Sequence, residues 1–337
     1  MPRLRRSDLS TPGFTRRRRG RGFSYADIDG SPLHDADTLE RIRALAIPPA
    51  WKDVWISPWP GGHIQAVGTD AAGRRQYRYH DAWRLRRDRL KHERVLELAQ
   101  RLPAVRETVT EHLSGQGLTR ERVLAAAVRL LDLGFFRVGG EEYAEENGTY
   151  GLATLRRDHV ELTRGGITFH YEAKGSQHRV HAVVDPDVRK VVQALLRRRD
   201  PGPELLAYHV GREWRDVRSV DINAYLREVA GEDMTAKDFR TWHATVLCTV
   251  ALARARATSS PSDRKRAVAG AVRGVAEALG NTPAVCRKSY IDPRIIDLYD
   301  DGSLTAVSLT TPADMSLEQL AARPDVERVV IELLSPG

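Results

Sequence analysis

The sequence predicts an α+β protein, with a small N-terminal antiparallel β-sheet domain followed by a mainly α-helical domain that contains a β-hairpin. Three observations carry this reading. Between Phe23 and about Arg89, short runs of strand character are broken by Pro and Gly. From about Leu90 the apolar period becomes helical. Within the helical half, alternation returns only between Ile167 and Val184. At 337 residues the chain is long enough for two domains, because single cores stop growing near roughly 250–300 residues.

In the first half the strand candidates are Val54-Trp-Ile56, His63 to Val67, and Gln76 to Tyr79 after a turn at Gly73, with a short helix over Leu39 to Leu45. The helical half begins with Val95, Leu96, Ala99 and Leu102 on one face. Thr119 caps a run to Leu133 that Gly134 ends, and Asp187 to Arg199, Asp221 to Ala230 and Ser262 to Leu279 are comparable helices. Thr235-Ala-Lys-Asp238 reads as a capping box opening an apolar helix that continues to about Ala257. Ile167, Phe169, Tyr171 and Ala173 alternate, as do Val180, Ala182 and Val184, so Lys174 falls at a hairpin tip. Thr282 and Pro283 supply the N-cap and first residue of a short helix that reaches Tyr290 and is stopped by Asp292-Pro293.

Charge adds boundaries to this outline. Residues 1–22 hold eight arginines against Asp8, so +7 of the formal +8 sits there, and the stretch reads as a disordered basic arm. Residues 23–89 form the β-rich domain, 90–299 the helical domain, and 300–337 an acidic extension with seven carboxylates against Arg323 and Arg328. From Arg74 to Arg94, nine Lys or Arg face Asp81, Asp88 and Glu93, which suits a polyanion partner or a solvated charged face. Two cysteines without CxxC spacing suggest neither a disulfide framework nor a zinc site, and no Gly-x-x-x-x-Gly-Lys loop offers a nucleotide cradle. No apolar run approaches the roughly 18 residues of a membrane span, and no hydrophobic segment follows the basic start. A cytoplasmic protein without a membrane partner is expected.

Five tracts stand in order along the chain. They are Gly68-Thr-Asp-Ala-Ala-Gly73-Arg74-Arg75-Gln76-Tyr77-Arg78-Tyr79; Phe136-Arg137-Val-Gly-Gly140 running through Tyr143 to Leu155; Lys174; Lys237-Asp-Phe-Arg240; and Asn281 to Pro293 around Tyr290. Over most of residues 23–299 they resemble the type IB DNA topoisomerases of the small poxvirus and bacterial branch. The resemblance implies two domains forming a clamp around duplex DNA, a monomer associated with the nucleoid, and no ATP, metal or other cofactor. It implies Tyr290 as the nucleophile that forms a 3′-phosphotyrosyl intermediate, Arg137 and Arg240 on the nonbridging oxygens, and Lys174 as general acid. Asn281 stands where poxvirus members carry a histidine and implies a similar donor role without the charge. Gly140 replaces a common lysine. Gln76, Tyr77 and Tyr79 correspond to residues that approach the major groove, Tyr143 to one on the backbone near the cleavage site, and Arg74, Arg75 and Arg78 flank them as phosphate anchors.

The chemistry explains these residue types. Roughly one tyrosine in a thousand is phenolate at pH 7, and a pentavalent phosphorus gathers negative charge, so positive donors must compensate. Read without the resemblance, each residue has a plainer alternative. Tyr290 is then a half-buried helical tyrosine, Lys174 a solvated tip, Asn281 a turn residue or cap, and Tyr77 or Tyr79 core. Arg137 would pair with Glu141 or Glu142, and Arg240 with Asp238 or Glu232. Two other functions compete. A tyrosine recombinase shares the same Arg, Lys and Tyr chemistry, but residues 23–89 do not look like its helical core-binding domain and its histidine just ahead of the second arginine is absent. A basic chromatin-binding protein would leave the Tyr290 tract unexplained.

Overall fold

The computed structural model describes all residues except 1–3, 135, 142–143, 145–147, 232, 256–259, 305–322 and 336–337. The chain divides into two compact units, Met1–Lys91 and His92–Gly337; the sequence reading placed the change between residues 89 and 90.

The first unit is a five-stranded antiparallel sheet of β1 (Phe14–Arg19), β2 (Gly22–Ala26), β3 (Lys52–Ile56), β4 (Ile64–Thr69) and β5 (Arg75–Tyr79), in the order β2-β1-β3-β4-β5. Helix α1 (Ala36–Ala44) covers one face, where Ile42 joins Phe14, Val54, Ile56 and Ala66 in a small core. Strand β1 corrects the expectation of a disordered arm over 1–22. An arginine-rich strand needs only its inward positions satisfied, and here Phe14 enters the core while Arg16 donates to the carbonyls of Ile47, Pro48 and Trp51 at 2.8–3.0 Å. Composition alone hid this alternation.

Helix α2 (Asp81–Ser114) begins nine residues before the expected Leu90. Its first turns carry Arg84, Arg86, Arg87 and Arg89, good helix formers that leave no apolar stripe to read.

The second unit is built around α3 (Arg120–Gly134) and a later helix, Ala236–Ala253, whose side chains are buried along nearly their whole length. Between them lie a sheet of β6 (Val160–Thr163), β7 (Gly166–Ala173) and β8 (Gln177–Val183), α4 (Pro186–Leu196), a hairpin of β9 (Ala207–Val210) and β10 (Glu213–Asp216), and α5 (Ser219–Ala230). The helix Ala236–Ala253 is α6; α7 (Pro261–Leu279), α8 (Pro283–Ser289), α9 (Pro293–Asp300) and α10 (Pro324–Leu334) follow. The expected hairpin forms from β7 and β8, with β6 as a third strand too short to recognise beforehand. On β8, Val180 faces outward and Arg179, His181 and Val183 turn inward, and Val184 just past its end is exposed. That inward phase is fixed by polar contacts, since Arg179 donates to the carbonyls of Glu277 and Ala278 and the His181 ring lies 4.8 Å from that of Phe136.

Residues 300–337 are not a separate acidic extension where they are described. Val326, Val330 and Leu334 of α10 join the main core, and buried Glu327 accepts from Arg106 and from the Trp242 indole at 2.9 Å. No helix among the described residues is long and apolar enough to cross a membrane.

Candidate active site

A cavity of about 300 Å³ in the second unit is lined by Arg137, Lys174, Lys237, Arg240 and Tyr290, with Thr149 and Tyr150 on its wall. Four of the five catalytic candidates therefore meet in one place, although they come from a loop, a hairpin tip and two helices.

Arg137 lies in the loop after α3. Its carbonyl accepts from Leu152 N–H at 2.8 Å, and that of Val138 accepts from Ala153 N–H at 2.7 Å. The approach depends on paired glycines: Gly139 has φ 86°, and a Cβ on Gly151 would sit 2.5 Å from the Gly139 backbone. Arg240 projects from the first turns of α6, where Asp238 accepts from Thr235 N–H and Oγ1 in the expected capping box. Arg94 takes the remaining oxygen of Asp238 at 2.7 Å. The structure thereby removes two of the plainer pairings: Asp238 serves the cap and Arg94, and Glu141 accepts from Ser219 rather than from Arg137.

Both guanidiniums are instead held by the C-terminal end of α7. Arg240 donates to Leu279 O at 2.7 Å, and Arg137 to Gly280 O and Asn281 Oδ1, each at 2.6 Å. Arg179 donates to the next carbonyls back, Glu277 and Ala278. The negative end of a helix dipole and its unpaired carbonyls suit three clustered cations. Gly280, with φ 61°, turns the chain there and leads into Asn281. Asn281 thus reaches the site through Arg137, and its amide Nδ2 is buried without a hydrogen-bond partner.

Tyr290 is the C-cap of α8, its N–H bonded to Cys286 O at 3.0 Å, and Thr282 caps the other end with Pro283 following as expected. The Arg240 guanidinium lies 5.5 Å from the centre of the Tyr290 ring and Lys237 Nζ 6.0 Å from it. Burial and the neighbouring Arg137 charge push Arg240 down to about 10, opposed by its contact with Tyr290, which leaves it a cation at neutral pH. Burial, with Arg179, Arg240 and Arg137 nearby, lowers His181 to about 4. Lys174 stands exposed in the β7–β8 turn beside Gly175 (φ 84°) and Ser176 (φ 52°), within the cavity lining.

Residues 80–302 match the family described as the eukaryotic DNA topoisomerase I catalytic core, and residues 22–70 match the bacterial DNA topoisomerase IB N-terminal domain. The chain is 30% identical to DNA topoisomerase 1B of Acanthamoeba polyphaga mimivirus over 297 residues, covering 86% of this chain and 88% of that protein. It is 24% identical to DNA topoisomerase 1B of vaccinia virus (strain Copenhagen) over 288 residues, 82% of this chain and 87% of the viral one. The chain belongs to the type IB DNA topoisomerases. It is accordingly an isomerase that cleaves and religates DNA.

Sequence reasoning about this topoisomerase missed Lys237 as a cavity residue, although it lies three positions before Arg240, one helical turn away. It also missed Arg179, because the apolar alternation of Val180, Ala182 and Val184 put those residues, and not Arg179, on the inward face of the hairpin. In the first unit the expected DNA-contact residues separate by face. Arg75, Tyr77 and Tyr79 are exposed on one side of edge strand β5, with the two rings stacked at 6.0 Å and Arg75 5.9 Å from Tyr77. Gln76 donates to Asp70 at 2.9 Å and Arg74 to the same carboxylate at 3.1 Å, and Arg78 donates to Ala46 O at 2.8 Å. Neither tyrosine belongs to the core. Tyr143 lies outside the described residues. Among the described residues no group of three or more His, Cys, Asp or Glu could hold a metal ion, and Cys248 and Cys286 are buried free thiols.

Proposed function

We propose that Tyr290 is the nucleophile of a type IB cleavage cycle and that the two helix-anchored arginines make its attack possible. The convergence of Tyr290, Arg137, Arg240 and Lys174 on one cavity is the observation that carries this reading. Tyr290 Oη attacks a backbone phosphorus, the phosphorus–O5′ bond breaks, and the strand is left as a 3′-phosphotyrosyl enzyme and a 5′-hydroxyl. Arg137 and Arg240 donate to the nonbridging oxygens as negative charge builds, and a planar fork already held at one nitrogen needs little reorganisation. Lys174 gives a proton to the departing 5′-oxygen from a glycine-flanked turn that can follow the DNA. Asn281 steadies Arg137 through Oδ1 and offers Nδ2 to the same phosphate. Religation reverses each step with the 5′-hydroxyl as nucleophile. Because the phosphotyrosyl ester keeps the bond energy, the cycle runs without ATP or metal.

Around this centre we place duplex DNA as the partner, gripped in a clamp to which the β5 face contributes Arg75, Tyr77 and Tyr79, with Arg74, Gln76, Arg78 and Tyr143 as further contacts. The working form is a monomer in a nucleoid-associated, cytoplasmic setting. The test is a duplex nicked just downstream of the cleavage site, so that the short fragment released with a 5′-hydroxyl dissociates, which traps the covalent species. Peptide mapping is expected to find the adduct on Tyr290 at a 3′-phosphate. An adduct on another residue, or a 5′ linkage, would contradict the proposal.

A further inference from the structure

The arginine-rich β1 strand has no role in the account so far, and the family match to the N-terminal domain begins only at residue 22. Strand register shows where its side chains go. Thr15 pairs with Trp55, Trp55 with Val67, and Val67 with Tyr77, so these four residues share one face of the sheet. With a side-chain period of two, Arg17 and Arg19 lie on that same face, together with Arg75 and Tyr79 at the far edge. Phe14, Ile56, Ala66 and Arg78 define the opposite face, the one α1 covers, and Arg16 and Arg18 belong to it.

Arg17 and Arg19 are exposed, and across the hairpin they oppose Ser24 and Gly22, which bring no carboxylate. Asp53, which continued pairing would set opposite Arg17, sits in the irregular start of β3 with φ 48° and makes no ion pair with it. Gly20, with φ 57°, closes the turn and adds exposed Arg21 at its tip. Like charges fixed on neighbouring positions of a strand repel one another and contribute nothing to the fold. They fit a polyanion.

We propose that Arg17 and Arg19 form a second phosphate-binding row on the sheet face opposite α1, so that this face meets duplex DNA at β1 as well as at β5. Three strand spacings separate the two rows by about 14 Å. A B-form major groove is about 12 Å wide. With the β5 residues at a groove, the β1 row therefore meets the backbone on its far side. These contacts are to phosphate alone and carry no base readout. The inference rests on the reading that the β5 face engages DNA.

Salt-dependent binding of a blunt duplex by the full chain carrying Tyr290→Phe tests it. Removing two phosphate contacts with Arg17→Ala/Arg19→Ala is expected to reduce the slope of log K against log[salt] by about 2. Arg17→Lys/Arg19→Lys retains most of the slope. Arg18→Ala, on the covered face, changes it little. An unchanged slope in the double alanine variant overturns the inference, as does an equal loss per residue in Arg18→Ala, which would mean bulk charge rather than a face. Arg75→Ala/Tyr77→Ala separates the two claims. If it leaves binding intact, the β5 reading fails; if it weakens binding while the β1 slope is unchanged, only this inference fails.

Discussion

Arg240 is 4% exposed yet cationic, a state that burial opposes and that only a fixed set of acceptors sustains. Leu279 O and Tyr290 supply them, so the side chain is oriented before DNA arrives. Lysine keeps the charge but loses the fork, and Arg240→Lys is expected to slow single-turnover cleavage by about 10² to 10³, close to the loss of an oxyanion donor, with duplex affinity within a few fold. A near-native rate would show that charge alone suffices. His181 tells a related story about stability. Its folded pKa of about 4 lies below the ordinary 6.5, because burial and three arginines disfavour the proton. The unfolded chain therefore binds the extra proton between those values. The resulting stability is fully present above about pH 6.5 and is lost as pH falls toward 4. Its upper limit is on the order of 3 kcal/mol. Thermal melts should show a smaller acid-induced drop in Tm for His181→Gln than for the native chain; an equal drop would remove His181 from the account.

Among the elements, α6 connects the site to the C-terminal helix. Arg106 of α2 bridges Asp132 of α3 and Glu327 of α10, and Glu327 also accepts from Trp242, two residues beyond Arg240. Arg106 and His243 hold Asp132 far below the ordinary carboxylate range despite burial. Breaking such a buried set from one side leaves a charge unpaired, so Glu327→Ala is expected to cost about 3–5 kcal/mol in a denaturant melt. A loss well under 1 kcal/mol would show that α10 is only an accessory. These elements also show what the sequence could and could not reveal. The caps at Thr235 and Thr282 were legible because capping is local chemistry written within four residues. The five catalytic candidates were named from motif order, and four of them line one cavity. Strand β1 was not, because an arginine run conceals a two-residue period, and α10 was not, because an acidic composition conceals three inward apolar positions. The anchoring of Arg137, Arg179 and Arg240 on one helix end is a tertiary fact: the residues lie 39 to 144 positions from their acceptors.

At the scale of the whole molecule, the proposed chemistry and the proposed grip fall in separate units. The second contains the cavity lined by Tyr290, Arg137, Arg240 and Lys174, and the first offers a sheet face with aromatic and arginine side chains at one edge and an arginine hairpin toward the other. This division fits an enzyme that must hold duplex DNA while one strand is open. The central claim is that Tyr290, assisted only by side chains of this chain, breaks and reseals that strand. Its most direct test is relaxation of negatively and positively supercoiled plasmid by the purified chain in EDTA without ATP, beside Tyr290→Phe. The account predicts full relaxation of both substrates by the native chain and none by the variant, although the variant still binds DNA. Failure of the native chain under these conditions, or relaxation by Tyr290→Phe, would contradict it.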